Sequence, residues 1–200
     1  MSRFTIILVL PLQDSIERLE QARKNAMCGT VLSLGTGDTG QLGLGEDITE
    51  RSKPAIITGV KGKVVSVAAG GMHTICVTTD GAVWSFGCND EGALGRQIED
   101  DEEGFTPGIV DLPSGTDIVQ VTAGDSHSAA LDRNGKVYYW GSFRDSSGVI
   151  GLTQDGNIQK LPVPLAHHLN VKKIASGMLT DLIMQPDKKT KGALYYELPI

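Results

Sequence analysis

Few cysteines, few aromatics and no long apolar run characterise this 200-residue chain. Its three cysteines, Cys28, Cys76 and Cys88, form no Cys-x-x-Cys pair and leave an odd count. That points away from a zinc site and a disulfide framework and toward a reducing compartment. No Asn-x-Ser/Thr sequon occurs, in keeping with an intracellular address. The most apolar stretch, Phe4 to Leu12, follows Arg3 and has the length of a signal-peptide core, but it is too short to span a bilayer and no small-x-small cleavage site follows closely. Asp14 with Glu17 resembles a capping box, and Ile16, Leu19, Arg23 and Ala26 recur at helical spacing. Residues 1–29 therefore read as a leader with a short amphipathic helix.

Basic charge is also scarce: 18 Lys and Arg against 24 Asp and Glu give a net charge of −6, which excludes whole-chain attraction to nucleic-acid phosphate. Apolar residues at 40% and charged residues at 21% are those of a globular chain rather than a disordered one. What is plentiful is glycine. The chain holds 25, without the every-third-residue period of collagen, and such an excess marks many tight turns.

Those turns recur. Ala69-Gly70-Gly71-Met72-His73-Thr74 matches Ala123-Gly124-Asp125-Ser126-His127-Ser128, and Thr79-Asp80-Gly81-Ala82-Val83-Trp84-Ser85-Phe86-Gly87 matches Arg133-Asn134-Gly135-Lys136-Val137-Tyr138-Tyr139-Trp140-Gly141. Each copy closes on Leu94-Gly95 or Ile150-Gly151, an earlier half-copy closes on Leu42-Gly43, and another copy starts at Ala175-Ser176-Gly177. Within each unit the residues suit strands, and Asp80-Gly81 and Asn134-Gly135 predict hairpins with two-residue type I′ turns. A hairpin cannot bury its faces alone, so the copies must stack, and blades around an axis accomplish that. The expected fold is an all-β propeller, incomplete, with repeats at about 30–63, 64–118 and 119–170, the start of another at 171–184, and a divergent tail at 185–200.

Gly35-Thr36-Gly37-Asp38-Thr39-Gly40 fits the dinucleotide pattern G-x-G-x-x-G, but Gln41-Leu42-Gly43-Leu44-Gly45 is a poor helix and the pattern needs a helix there. Asp125, Ser126 and His127 contain the residue types of a hydrolytic triad; consecutive strand residues point to opposite faces, however, and cannot easily form the relay. One histidine per repeat, His73 and His127, is too sparse for a metal cage. No cofactor and no metal is expected. Glu99 to Glu103 reads as a solvated acidic loop, and three lysines in Lys188-Lys189-Thr190-Lys191 are too few to argue for nucleic acid.

Leu34 to Gly43, Gly70-Gly71-Met72-His73-Thr74, Phe86-Gly87-Cys88-Asn89-Asp90-Glu91-Gly92-Ala93-Leu94-Gly95, Gly124-Asp125-Ser126-His127 and Trp140 to Ile150 together resemble the regulator of chromosome condensation family, nucleotide exchange factors of the small GTPase Ran. The resemblance runs from about residue 30 to Gly177. It implies a seven-bladed propeller of about 370 residues when closed, of which this chain supplies about three blades. An open arc of that kind leaves strand edges exposed, as expected of a piece or variant of a longer protein.

By the same resemblance, Asp38, His73 and Asp125 lie on the face offered to Ran, although His73 equally suits a packing role. Arg144, Asp145, Ser146, Ser147 and Gly148 form a wedge against the GTPase's phosphate-binding region. That link is two residues longer than its counterpart between Gly87 and Gly95, which also fits an ordinary loop. The implied function is release of guanine nucleotide without covalent chemistry, with chromatin as a further partner and the nucleus as the address. No small-molecule substrate and no membrane is implied. Two departures stand out: Leu179 occupies the place of a family aspartate, with Asp181 displaced by two residues, and the basic N-terminal tail is absent, so the cytoplasm is the alternative address. The competing function is a propeller-repeat interaction scaffold without exchange activity.

Overall fold

Glycine-bearing turns cut the chain into short β-branched and aromatic stretches that pair with their neighbours. In the computed structural model, which describes residues 6–8, 28–143, 158–165, 171–177, 181–186 and 193–197, these stretches build four antiparallel sheets. The first sheet runs β1 (Ile6–Leu8), β2 (Leu32–Thr36), β3 (Glu50–Ile56). The second runs β4 (Val64–Ala69), β5 (His73–Thr78), β6 (Val83–Gly87), β7 (Gly108–Ile109). In the third, β8 (Ile118–Ala123), β9 (His127–Asp132), β10 (Val137–Gly141) and β11 (Gln159–Pro164) repeat that order, and β12 (Lys173–Ser176), β13 (Asp181–Pro186) and β14 (Ala193–Glu197) form the fourth. Strand β4 packs beside β8, and β8 beside β12, so successive sheets stack as blades of a partial propeller.

The hairpins form where expected, but the turns are longer than type I′. Gly81 N–H donates to Thr78 O (2.9 Å) and Thr78 N–H to Ala82 O (2.9 Å), which puts Gly81 at the end of a three-residue loop with φ +83°. Gly135 repeats this between Asp132 and Lys136, with φ +85°. Side chains select the longer form. The Asp80 carboxylate accepts from Thr78 Oγ1 (2.5 Å), while Asp132 Oδ1 accepts from the backbone N–H of Asn134 (2.8 Å) and Lys136 (2.7 Å).

Every residue of β5 and β9 is buried because a sheet lies against each of their faces. Ile75, Val77 and Val83 of the second sheet pack with Val121, Ala130, Tyr138 and Trp140 of the third, and Val31 and Ile57 pack on Trp84 and Phe86 at the preceding junction. The Leu-Gly closures fit into this packing. Ser33 Oγ donates to Leu42 O and Ser85 Oγ to Leu94 O, each at 2.7 Å, which ties each closure back to its own sheet. The next sheet's aromatic then covers the glycine: a side chain on Gly43 would run into Phe86, and one on Gly95 into Trp140.

The helix expected over Asp14 to Ala26 lies outside the described residues; Ile6–Leu8, earlier in the leader, form a strand that pairs with β2 through Ile6↔Leu34. Within the 185–200 tail, β14 pairs with β13 through Gln185↔Leu194 and Pro186↔Ala193.

Candidate functional site

Antiparallel order sends the connections after β4, β6, β8 and β10 to one rim. The loop after β2 joins them there, since Thr74 Oγ1 donates to Gln41 O (3.0 Å) and Gly45 N–H to Phe105 O (3.1 Å). Gly71 N–H donates to Gly124 O (3.1 Å), linking the second and third sheets at this rim.

Asp38 sits at the corner of a turn closed by Gly40 N–H to Gly37 O (3.1 Å), with its side chain exposed. Asp125 is likewise exposed, and its carboxylate lies against Gly71, where any side chain would collide with it. His73 is different. It is 1% exposed, and its Nε2 lies 2.7 Å from Ser128 Oγ of the third sheet. The Ser128 hydroxyl also donates to Ala93 O (3.0 Å), so His73, Ser128 and Ala93 form one hydrogen-bonded chain across the junction of the second and third sheets. Burial, and then the neighbouring His127, lower the His73 pKa to about 4, against a smaller opposing effect of the His127 backbone. Buried and neutral, His73 reaches a partner only through what it positions. Arg144 to Gly148 lie outside the described residues, as does Leu179.

The aromatic at the root of that segment was not singled out from sequence. Phe143 is 3% exposed, stacked on His127 with ring centroids 4.2 Å apart and edge-on to Tyr139 at 5.7 Å. Its signal was available: Phe143 stands where the earlier copies have Gly37 and Asn89.

Around these groups the competing chemistries find no support. In the Gly35 to Gly40 segment, Gly37 N–H donates to Thr49 O (2.7 Å) and Gly40 N–H to Gly37 O, so those donors are turned inward rather than toward a phosphate. His127 is 1% exposed while Asp125 faces solvent. Burial pushes the Cys76 thiol up to about 12, which leaves it inert as a nucleophile. Among the described residues no three His, Cys, Asp or Glu gather as a metal cage, and no helix is long and apolar enough to cross a membrane.

The acidic run is more ordered than a bare loop. Asp101–Phe105 is a 3-10 helix capped by Asp100 Oδ1, which accepts from Glu103 N–H (3.1 Å). Arg96, 7% exposed, donates to Glu103 O (2.9 Å) and Thr106 O (3.3 Å) from beneath it. Burial lowers the pKa of Arg96, opposed by Glu103 and Asp111. The acids themselves stay exposed on the rim that holds Asp38 and Asp125.

Comparison with known proteins agrees with this architecture. The family model described as Regulator of chromosome condensation repeat matches residues 29–77 and 80–131. The chain is 52% identical over 166 residues to the regulator of chromosome condensation of Xenopus laevis, covering 82% of this chain and 38% of that protein. It is 35% identical over 178 residues to the guanine nucleotide exchange factor SRM1 of Saccharomyces cerevisiae, covering 72% of this chain and 37% of that one. The crystal structure of Prp20p from Saccharomyces cerevisiae, reported with its binding to Gsp1p and histones, superposes with a TM-score of 0.75 at 30% identity, over 94% of this chain and 46% of that one. The chain thus spans less than half the length of each of these relatives. Matching repeats, sheet order and identity together place the chain in the regulator of chromosome condensation family.

Proposed function

We propose that this chain contributes the GTPase-facing part of a guanine nucleotide exchange factor for Ran. The observation that carries the reading is the meeting of Asp38, Asp125 and the root of the 144–148 segment on one acidic rim, in a chain related to an exchange factor. An exchange factor forms and breaks no covalent bond, so its work is done by linkage: a propeller that weakens nucleotide binding is itself bound less tightly when nucleotide is present. Asp38 and Asp125 would hold basic or polar groups of the nucleotide-free GTPase. Arg144, Asp145, Ser146, Ser147 and Gly148 would displace the GTPase loop whose backbone N–H groups grip phosphate, a grip that short directional bonds make sensitive to small shifts. His73 acts at one remove, by fixing the Asp125 loop through Ser128. Chromatin as a partner and the nucleus as the address belong to the same reading.

One observation favours the alternative of a scaffold without exchange activity: Leu179 stands where the resemblance calls for an aspartate, which removes a contact to the GTPase. Release of labelled GDP from Ran separates the two. The chain should accelerate release, Arg144→Ala should slow it, and Asp125→Ala should raise the concentration needed. Release at the intrinsic rate, with Ran still bound, assigns the scaffold role.

A further inference from the structure

The sequence holds 8 prolines, and one alone follows a hydroxyl-bearing residue, in Thr106-Pro107. That dipeptide lies in the connection between β6 and β7, directly after the 3-10 helix Asp101–Phe105. Thr106 is exposed and extended, with φ −125° and ψ 152°, the backbone that a following proline favours. Extended chain continues into β7, an outermost strand of its sheet, where Ile109 is 53% exposed. Proline-directed kinases read a hydroxyl on extended backbone, followed by a residue that has no N–H to satisfy. The flanks hold this form in place. Thr106 O accepts from the buried Arg96 (3.3 Å), Phe105 O accepts from Gly45 N–H (3.1 Å), and the Pro107 ring packs on Gly59 of the connection from β3 to β4. Between the first and second sheets, Thr106 and Pro107 share the wall of a cavity of about 290 Å³ with Arg51 of β3 and Thr58.

We propose that Thr106 is a phosphorylation site for a proline-directed kinase, and that Arg51, on the same cavity, receives the phosphate. In the transfer, a bond forms between Thr106 Oγ1 and the γ-phosphorus of ATP as the bond from that phosphorus to its bridging oxygen breaks. ADP leaves, and the hydroxyl proton passes to the kinase's base. The new group carries a charge of about −1.5 to −2 at pH 7 and three acceptor oxygens, which the planar fork of a guanidinium matches. Glu103, three residues before Thr106, and Glu50, beside Arg51, oppose the added charge, but both are exposed and act through screening solvent. Arg51 belongs to the first sheet and Thr106 to the connection within the second, so the phosphate adds a tie between the two beside the bond from Gly45 to Phe105. The proposal stands independently of the exchange reading.

The test incubates the full chain with magnesium ATP and a mitogen-activated protein kinase, beside a peptide spanning residues 100–112, and counts phosphates by mass spectrometry. The folded chain should take up one phosphate, at Thr106, at a rate within about ten-fold of the peptide's, because no local opening has to precede the reaction. Thr106→Ser should keep the labelling, and Thr106→Ala and Pro107→Ala should lose it. In the phosphorylated chain, Arg51→Ala should move the phosphate's titration midpoint, followed by phosphorus NMR, upward by about half a pH unit. Labelling of the peptide but not of the folded chain, labelling of neither, or labelling that survives Thr106→Ala overturns the site. A midpoint unmoved by Arg51→Ala overturns the role given to Arg51.

Discussion

Trp140 of the third sheet donates its indole N–H to the carbonyl of Ala93 in the connection between β6 and β7, at 2.8 Å, and the same carbonyl accepts the Ser128 hydroxyl at 3.0 Å. One backbone oxygen thereby joins two strands of the next blade. At the preceding junction Gln41 O accepts from Thr74 Oγ1, but Phe86 has no N–H to add. Trp140→Phe should therefore cost about 1 kcal/mol, the value of one hydrogen bond whose acceptor keeps another donor, whereas Trp140→Ala should cost about 3–5 kcal/mol through the cavity. Urea unfolding midpoints measure both, and equal costs would contradict this division.

The glycines that receive these aromatics should be intolerant of any side chain. Gly95 has φ +64°, and its added methyl would meet the Trp140 indole. Gly115 has φ +81° with open space around it. Both positions pay for a left-handed backbone on substitution by alanine, but only Gly95→Ala adds overpacking. It should destabilise by about 1–3 kcal/mol more than Gly115→Ala, read from the same unfolding curves.

Acid should loosen the junction through His73. The folded chain holds the His73 pKa near 4, below its ordinary 6.5, so between those values the unfolded chain binds a proton that the folded chain refuses. Stability is complete above about pH 6.5 and falls as pH drops toward 4, by at most about 3 kcal/mol. His73→Gln, which cannot take up that proton, should show a smaller loss between pH 7 and pH 4.5. An identical loss in both proteins would contradict the assignment.

How much of this could be read from the residues differs from element to element. The hairpins β5–β6 and β9–β10 were legible because glycine, aspartate and asparagine mark their turns and the copies repeat. The inward turn of His73 was not: alternation reveals which face is buried only when one face meets solvent, and β5 is buried on both. Nor were the outer strands. In β3, Glu50-Arg51-Ser52-Lys53-Pro54 is polar and exposed, and Pro54 removes a donor, while β7 is only two residues long. Asp38 and Asp125 were chosen by resemblance and do stand exposed on one rim, whereas the packing of Phe143 could be suspected only by comparing repeats, because its contact with His127 joins residues far apart in sequence.

The exposed carboxylates should act on binding without affecting the fold. Asp125→Ala should weaken association with nucleotide-free Ran about ten-fold and flatten its dependence on salt, with an unchanged unfolding midpoint. A shifted midpoint would mean that Asp125 serves the Gly71 contact instead.

The most direct measurement is the affinity of the purified chain for Ran, compared between the nucleotide-free and the GDP-saturated GTPase by calorimetry. The account predicts tight binding to the empty form and a large loss when GDP is added, because the two ligands oppose each other reciprocally. Equal affinity for both forms would contradict it, since a chain indifferent to nucleotide cannot promote its release.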